Sequence, residues 1–310
     1  MNERQRTYQL RHIVERAKTL PFYAERLAHI DPTDVWADDL SALPTLRLGD
    51  LVQHFAAHPP SGGFLRDDIV QVQLPGTETG SDPDDPVRLP CYLTRNGQVW
   101  QAEATANYFA HCGFSDRDRC LLALGDHDAL GSWLFYDGLV DIGATVVRSP
   151  ALDAETLASI GRDHDVNVLI ATRALAEQVG AVGGRFRSVV VVGNQPSLAP
   201  HTRERLETAL GARVFDSYVL NEAGLVAGDT LEEGGMQVVG AAAVVEVLAP
   251  DGLEPTPEGG VGELVVTSLT REGIPILRLR TGDLALRGYQ DEYLQVLPRG
   301  VVGRVDADHT

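Results

Sequence analysis

Between residues 120 and 210 the sequence alternates short apolar runs with amphipathic stretches, and that rhythm restricts the fold more than any other feature. The runs at 120–124, 145–148, 166–171 and 188–192 have strand length and are rich in Val, Leu and Ile. Residues 131–142, 153–163, a short stretch ending at 179, and 199–210 read as helices, the last stopped by Gly211. Strands joined through helices pair in parallel, so this region predicts a mostly parallel sheet with helices on both faces. Before it, residues 3–29 read as helix with Leu10, Ile13, Val14 and Ala17 on one face, interrupted at Pro21-Phe22-Tyr23. Residues 31–66 are turn-rich, with short helices expected at 36–40 and 49–57. Strands at 69–74 and 87–94 and a helix at 96–112 lead into the alternating region. After Phe215 the helical periodicity ends, and 235–249, 261–267, 274–280, 283–287 and 293–297 read as strands. The chain thus divides into a helical segment (1–67), an α/β region (68–225) and a β-rich region (226–310).

Charge and cysteine usage narrow the function classes. A net charge of −18 argues against nucleic acid and anionic membrane as general partners, since both require a basic face. Cys91, Cys112 and Cys120 form no CxxC pair, which points to a reducing compartment. No apolar run of signal-peptide or membrane-spanning length occurs, so the cytoplasm is the expected location. Lys18 is the only lysine among 26 Lys and Arg residues, so lysine chemistry must use it or borrow one. His54 and His58 share a helix face at i,i+4, but no third metal ligand lies near them in sequence.

The stretch 261–288 reads as a strand, a turn at Arg271-Glu272-Gly273, a second strand, a break at Thr281-Gly282-Asp283, and a third strand. In the second strand Arg278 and Arg280 share one face and Leu277 and Leu279 the other. A carboxylate at a rigid glycine turn beside guanidinium groups suits vicinal hydroxyls next to a phosphate. A surface hairpin with ordinary salt bridges is the alternative reading.

Taken in order, the segments PFYAERL at 21–27, LPT at 43–45, GTETG at 76–80, GATV at 143–146, GNQP at 193–196, FDSYVLNE at 215–222, LRLRTGDL at 277–284 and GRVD at 303–306 resemble the adenylate-forming enzymes, closest to the phenylacetate-CoA ligase type. The resemblance covers nearly the whole chain. It implies the large N-terminal domain of that superfamily, an α/β sheet subdomain plus a β-rich subdomain, with ATP and Mg²⁺ as cofactors. It also implies roles for individual residues. Tyr218 would stack on the nucleobase, and Glu222 would hold Mg²⁺ against the phosphates. Asn221 stands where the family has a hydroxyl bonding the α-phosphate, and an amide can still donate there. Gly193, Asn194, Gln195 and Pro196 would border the adenine and Asp283 would bind the ribose hydroxyls. Arg304 would reach ribose or phosphate, with Asp306 as the hinge pivot. Gly131, Trp133, Phe135 and Tyr136 would lie along the acyl pocket, where aromatics suit a flat aromatic acid.

Two departures from the family pattern stand out. In the phosphate loop, Thr77, Thr79 and Gly80 keep hydroxyls and backbone that can cradle phosphate. Glu78 and Asp82, however, bring negative charge near a triphosphate. A like-charge contact at ~4 Å with an effective dielectric near 20 costs about 4 kcal/mol, which opposes ATP if both side chains point inward. The second departure is length. The sequence ends at Thr310, just past the hinge motif, whereas the family continues into a mobile domain of roughly 100 residues carrying a catalytic lysine. That small C-terminal domain is expected to be absent, and with it autonomous CoA-thioester formation. In architecture the chain is similar to a shortened type from biosynthesis of the phenazine antibiotic D-alanylgriseoluteic acid. The expected activity is therefore adenylation of an aromatic carboxylate, a phenazine carboxylate being one candidate, giving acyl-AMP for a downstream reductase or acyl transferase. The alternative is a non-enzymatic carboxylate- or nucleotide-binding protein. A homodimer is left open.

Overall fold

A computed structural model describes residues 1–74, 89–124, 129–149, 153–193, 197–232, 235–250, 252–288 and 293–296. The alternating region folds as its pattern requires. Strands β4 (Arg119–Ala123), β5 (Thr145–Arg148), β6 (Val168–Thr172), β7 (Ser188–Gly193) and β8 (Arg213–Leu220) pair in parallel. Their side chains alternate between two cores. Cys120, Leu122, Val168, Ile170, Val190 and Phe215 face α4 (Arg95–His111) and α5 (Ala129–Asp141). Leu121, Ala123, Leu169, Ala171, Val189, Val191 and Val214 face α6 (Ala154–Asp163), α7 (Arg173–Ala181) and α8 (Pro200–Leu210). A period of two with both faces apolar places helices on both sides. Gly211 closes α8 at φ 62, a left-handed cap that glycine accepts without penalty.

The sheet continues as antiparallel strands: β9 (Gly224–Gly228), β10 (Met236–Val238), β11 (Ala243–Leu248), β12 (Val261–Ser268), β13 (Leu279–Arg287) and β14 (Tyr293–Val296). The resulting path is β11-β12-β13-β14-β10-β9-β8-β7-β6-β4-β5. At its β-rich end lies another apolar core, shared with the N-terminal helices α1 (Glu3–Lys18) and α2 (Pro21–Ala24) and with α3 (Leu48–Ala57). Leu10, Ile13, Val14 and Ala17, the apolar face of α1, are all fully buried in it. A two-residue strand, β1 (Leu46–Arg47), pairs with β13, while β2 (Ile69–Gln73) and β3 (Cys91–Thr94) form a separate antiparallel pair.

Three local expectations are corrected. The expected helix at 36–40 is a turn closed by a Trp36–Asp39 bridge; the Asp39 carboxylate accepts the Ser41 N–H at 2.9 Å and draws that backbone away from helix. The single strand expected at 235–249 is two, β10 and β11, separated by a turn in which Ala242 N–H donates to the Val239 carbonyl at 2.7 Å. The strands expected at 274–280 and 283–287 are one strand, β13, which begins at Leu279 directly after Arg278 turns the backbone at φ +46. Thr281-Gly282-Asp283 does not end it but bulges from it, with Gly282 at φ +73 and the β12 register shifted between Glu263 and Val265.

Candidate functional site

Bulges and tight turns at the carboxyl ends of the parallel strands bring the candidate residues together. Tyr218, near the end of β8, pairs with Gly193 at the end of β7. Its hydroxyl donates to Asp283 Oδ2 at 2.6 Å, and both side chains are buried. The bulge that carries Asp283 is fixed from two sides. Gly282 N–H donates to Glu263 Oε1 at 3.1 Å, and Arg280 Nε donates to Glu263 Oε2 at 2.7 Å. Asp283 N–H in turn donates to Thr281 Oγ1 at 3.1 Å. The carboxylate is thus held before any ligand arrives. Burial, reinforced by the Asp283 charge, pushes the Tyr218 phenol well above its ordinary range, so it acts as a donor. Tyr218 is fully buried, so in this state its hydroxyl, not an open ring face, meets the aspartate.

Asn221 and Glu222 occupy the three-residue turn between β8 and β9, where Leu220 pairs with Gly224. That turn aims them at a narrow cavity of about 20 Å³, whose other walls include Cys91, Tyr92 and Arg271. Burial raises the Glu222 carboxyl above its usual range, while its own backbone N–H and Arg271 oppose that shift. Among the described residues no His, Cys, Asp and Glu side chains gather into a metal cluster, and His54 and His58 stack on one another, each bonded to a backbone carbonyl.

The expected acyl-pocket residues separate. A methyl on Gly131 would touch Leu124 and Val192, so this glycine lies at the same sheet end as Gly193 and Tyr218. Trp133 and Tyr136 turn outward as a T-shaped pair 6.4 Å apart, with the Arg148 guanidinium 5.1 and 5.0 Å from their centroids. Phe135 turns inward, fully buried 5.6 Å from Phe109, where it packs α5 on α4. The i, i+2, i+3 spacing on a helix explains the split. Thr77, Thr79, Gly80, Asn194, Gln195, Pro196, Arg304 and Asp306, with Glu78 and Asp82, lie outside the described residues.

The sequence reading missed the segment Arg271–Gly273. It is no surface turn: Arg271 and Glu272 are 1% and 2% exposed. Arg271 Nη1 donates to Gln101 Oε1 at 2.5 Å. Glu272 accepts from Thr94 Oγ1 and lies 2.5 Å from His12 Nε2. Gly273 sits against the Tyr92 carbonyl so closely that a Cβ would lie 2.0 Å from that oxygen. The surface-hairpin alternative also falls, because Arg278 and Arg280 are buried, paired with Glu246 and Glu263. The one available signal was the apolar sequence on both sides of the Arg-Glu pair.

No protein-family model matches the chain. It is 30% identical over 294 residues to a phenylacetate-coenzyme A ligase of Thermus thermophilus, covering 87% of this chain and 62% of that protein. It is 29% identical over 291 residues to the phenylacetate-coenzyme A ligase of Escherichia coli, covering 89% and 64%. The chain therefore spans less than two thirds of the length of these relatives. A 2-hydroxyisobutyryl-CoA ligase solved with 2-HIB-AMP and CoA superimposes with TM-score 0.82 at 22% identity, covering 99% of this chain and 76% of that one. An ATP-bound MatB from Rhodopseudomonas palustris superimposes with TM-score 0.58 at 16% identity, covering 76% and 48%. In sequence the chain is phenylacetate-CoA ligase-like, and it shares the α/β fold of the solved AMP- and CoA-bound ligases.

Proposed function

We propose that the chain activates a carboxylic acid by adenylation. The observation that carries this reading is the Tyr218–Asp283 bond at 2.6 Å, a prearranged carboxylate at the sheet end beside Glu222 and Asn221. The acid's carboxylate oxygen attacks the α-phosphorus of ATP in line. An acyl–O–P bond forms, the α–β bridging P–O bond breaks, and pyrophosphate leaves with that electron pair. Asp283 accepts hydrogen bonds from ribose hydroxyls, so the nucleotide is oriented before reaction. Asn221 donates to the α-phosphate from the turn between β8 and β9. Glu222 would hold Mg²⁺, which when bound would supply charge neutralisation for pyrophosphate. Thr77, Thr79, Gly80 and Arg304 complete the phosphate contacts, and Gly193, Asn194, Gln195 and Pro196 border the base.

The relatives named as phenylacetate-coenzyme A ligases support an aromatic acid as substrate, a phenazine carboxylate being one candidate. Lys18, the sequence's one lysine, donates to the Ile30 carbonyl at the end of α1 and is engaged there. The reading accordingly ends at acyl-AMP, released in the cytoplasm to a reductase or acyl transferase, without CoA-thioester formation by this chain. The test is acid-dependent pyrophosphate release across aromatic acids, including phenazine carboxylates, with and without CoA. Silence across the panel refutes adenylation, and a CoA-dependent thioester refutes the ending.

The full burial of Tyr218 favours a second reading, binding without turnover, because the ring face expected to receive a base is closed. Calorimetric titration with Mg²⁺ and ATP separates the two: heat without acid-dependent pyrophosphate release selects binding alone.

A further inference from the structure

One buried carboxylate on β8 ties down the start of α8, the helix that follows the segment read as bordering the base. β7 ends at Gly193 and α8 begins at Pro200, and the chain between them holds Asn194, Gln195 and Pro196. The exit from β7 is fixed on β8: Gly193 pairs with Tyr218, and Ser217 Oγ donates to the Val191 carbonyl at 2.8 Å. The entrance to α8 has no side-chain cap of its own, because Ala199 stands at the N-cap. Asp216 supplies the missing acceptor from the neighbouring strand. Its Oδ2 accepts the N–H of Leu198, one residue before the cap, at 2.7 Å, and both residues are buried.

The backbone that carries this carboxylate is itself clamped. Asp216 N–H donates to Asp229 Oδ2 at 2.8 Å, and Asp229 N–H returns to the Asp216 carbonyl at 2.8 Å. Arg203 of α8 closes the cluster, with Nη2 on Asp229 Oδ2 and Nη1 on the Val214 carbonyl, each at 2.6 Å. The carboxylate is therefore a fixed reference, and the Leu198 backbone is set against it. We propose that Asp216 is a positioning residue for nucleotide binding: by accepting the Leu198 N–H it sets where the chain from β7 to α8 runs relative to β8, the strand that carries Tyr218. The proposal rests on the adenylation reading, which puts Gly193, Asn194, Gln195 and Pro196 beside the base. Asp216 acts through the backbone and does not touch the nucleotide.

Calorimetric titration of the full chain with ATP in excess Mg²⁺, no acid present, tests this directly. Asp216→Leu keeps the volume and removes the acceptor, and is expected to weaken ATP binding at least about tenfold. Asp216→Asn keeps an oxygen for Leu198 and is expected to bind within about threefold of wild type. Val190→Ala loosens the same sheet from a buried position on β7 facing the opposite core, and should also stay within about threefold. A merely structural role for Asp216 would weaken Val190→Ala as well. No wild-type binding at millimolar ATP, Asp216→Leu within about threefold of wild type, or Asp216→Asn or Val190→Ala as weak as Asp216→Leu, each overturns the proposal. Should Asp216→Leu fail to fold by circular dichroism, Asp216→Ala carries the same expectation and the same limit. Asp216-dependent ATP binding in a chain that releases no pyrophosphate when acid is added would sink adenylation and leave the positioning role standing. Acid-dependent release with ATP binding indifferent to Asp216→Leu would do the reverse.

Discussion

Asp216 offers a prediction with its magnitude set by position. It lies on β8 two residues before Tyr218, 6% exposed, and its Oδ2 accepts the Leu198 N–H at 2.7 Å. Burial first, then the Asp229 charge, raise its carboxyl to about 7, against the opposing Leu198 bond and Arg203. The unfolded chain holds this group near 3.8. Between those values the folded chain carries a proton that the unfolded chain has lost, so stability falls as pH rises through the window and levels off above 7. At 1.36 kcal/mol per unit, the loss between pH 5.5 and 8 is about 2 kcal/mol. Asp216→Asn keeps an oxygen for Leu198 and cannot ionise, so its advantage over wild type should grow by that amount across the range. Urea unfolding followed by tryptophan fluorescence at several pH values measures it. Parallel wild-type and Asp216→Asn profiles, within about 0.5 kcal/mol, would refute the assignment of the titration to this buried carboxyl.

Other expectations follow from named contacts. Asp283→Asn should lower acid-dependent pyrophosphate release by at least about 100-fold while leaving the fold intact by circular dichroism, since it removes the charge but keeps the shape; release within threefold of wild type would remove Asp283 from the site. Glu263→Gln leaves Arg280 buried without its counter-charge and should cost about 3–5 kcal/mol in urea unfolding; a loss under about 1 kcal/mol would show that the pair is not structural. Gly273→Ala drives a Cβ toward the Tyr92 carbonyl and should destabilise by several kcal/mol, enough to lower the soluble yield. All three cysteines are buried, and burial pushes the Cys112 and Cys120 thiols up to about 12, so a thiol reagent at pH 8 should label the native chain far more slowly than the urea-unfolded chain; equal rates would contradict their burial.

Sequence periodicity revealed most of the parallel region because both causes of that region are local. Runs such as Val189-Val190-Val191 must be covered on two faces, and stretches such as 154–163 carry their own caps, Asp153 accepting the Thr156 N–H at 2.7 Å. The β-rich end was less legible. Whether Thr281-Gly282-Asp283 ends a strand or bulges from it depends on Glu263, distant in sequence, accepting the Gly282 N–H. Motif order assigned Tyr218, Asp283, Asn221 and Glu222 to one nucleotide site, but did not reveal the direct bond between the first two. Arg271 escaped notice because charged residues before a glycine read as solvent-facing, and only its burial beside Gln101 and Gly224 reveals otherwise. Phe135 shows the opposite limit: adjacent aromatics on a helix point different ways, so a motif cannot assign them all to one wall.

The two N-terminal helices, α1 and α2, have some of their partners at the far end of the chain. Gln9 Nε2 donates to the Leu269 carbonyl across 260 residues, Arg16 Nε reaches the Glu272 carbonyl at 2.6 Å, and Tyr23 donates to the Pro275 carbonyl. During synthesis at ~5–20 residues per second, those helices must wait on the order of 13–50 s for these partners to emerge. Until then the first segment translated lacks the buried side-chain-to-backbone bonds that the last segment supplies.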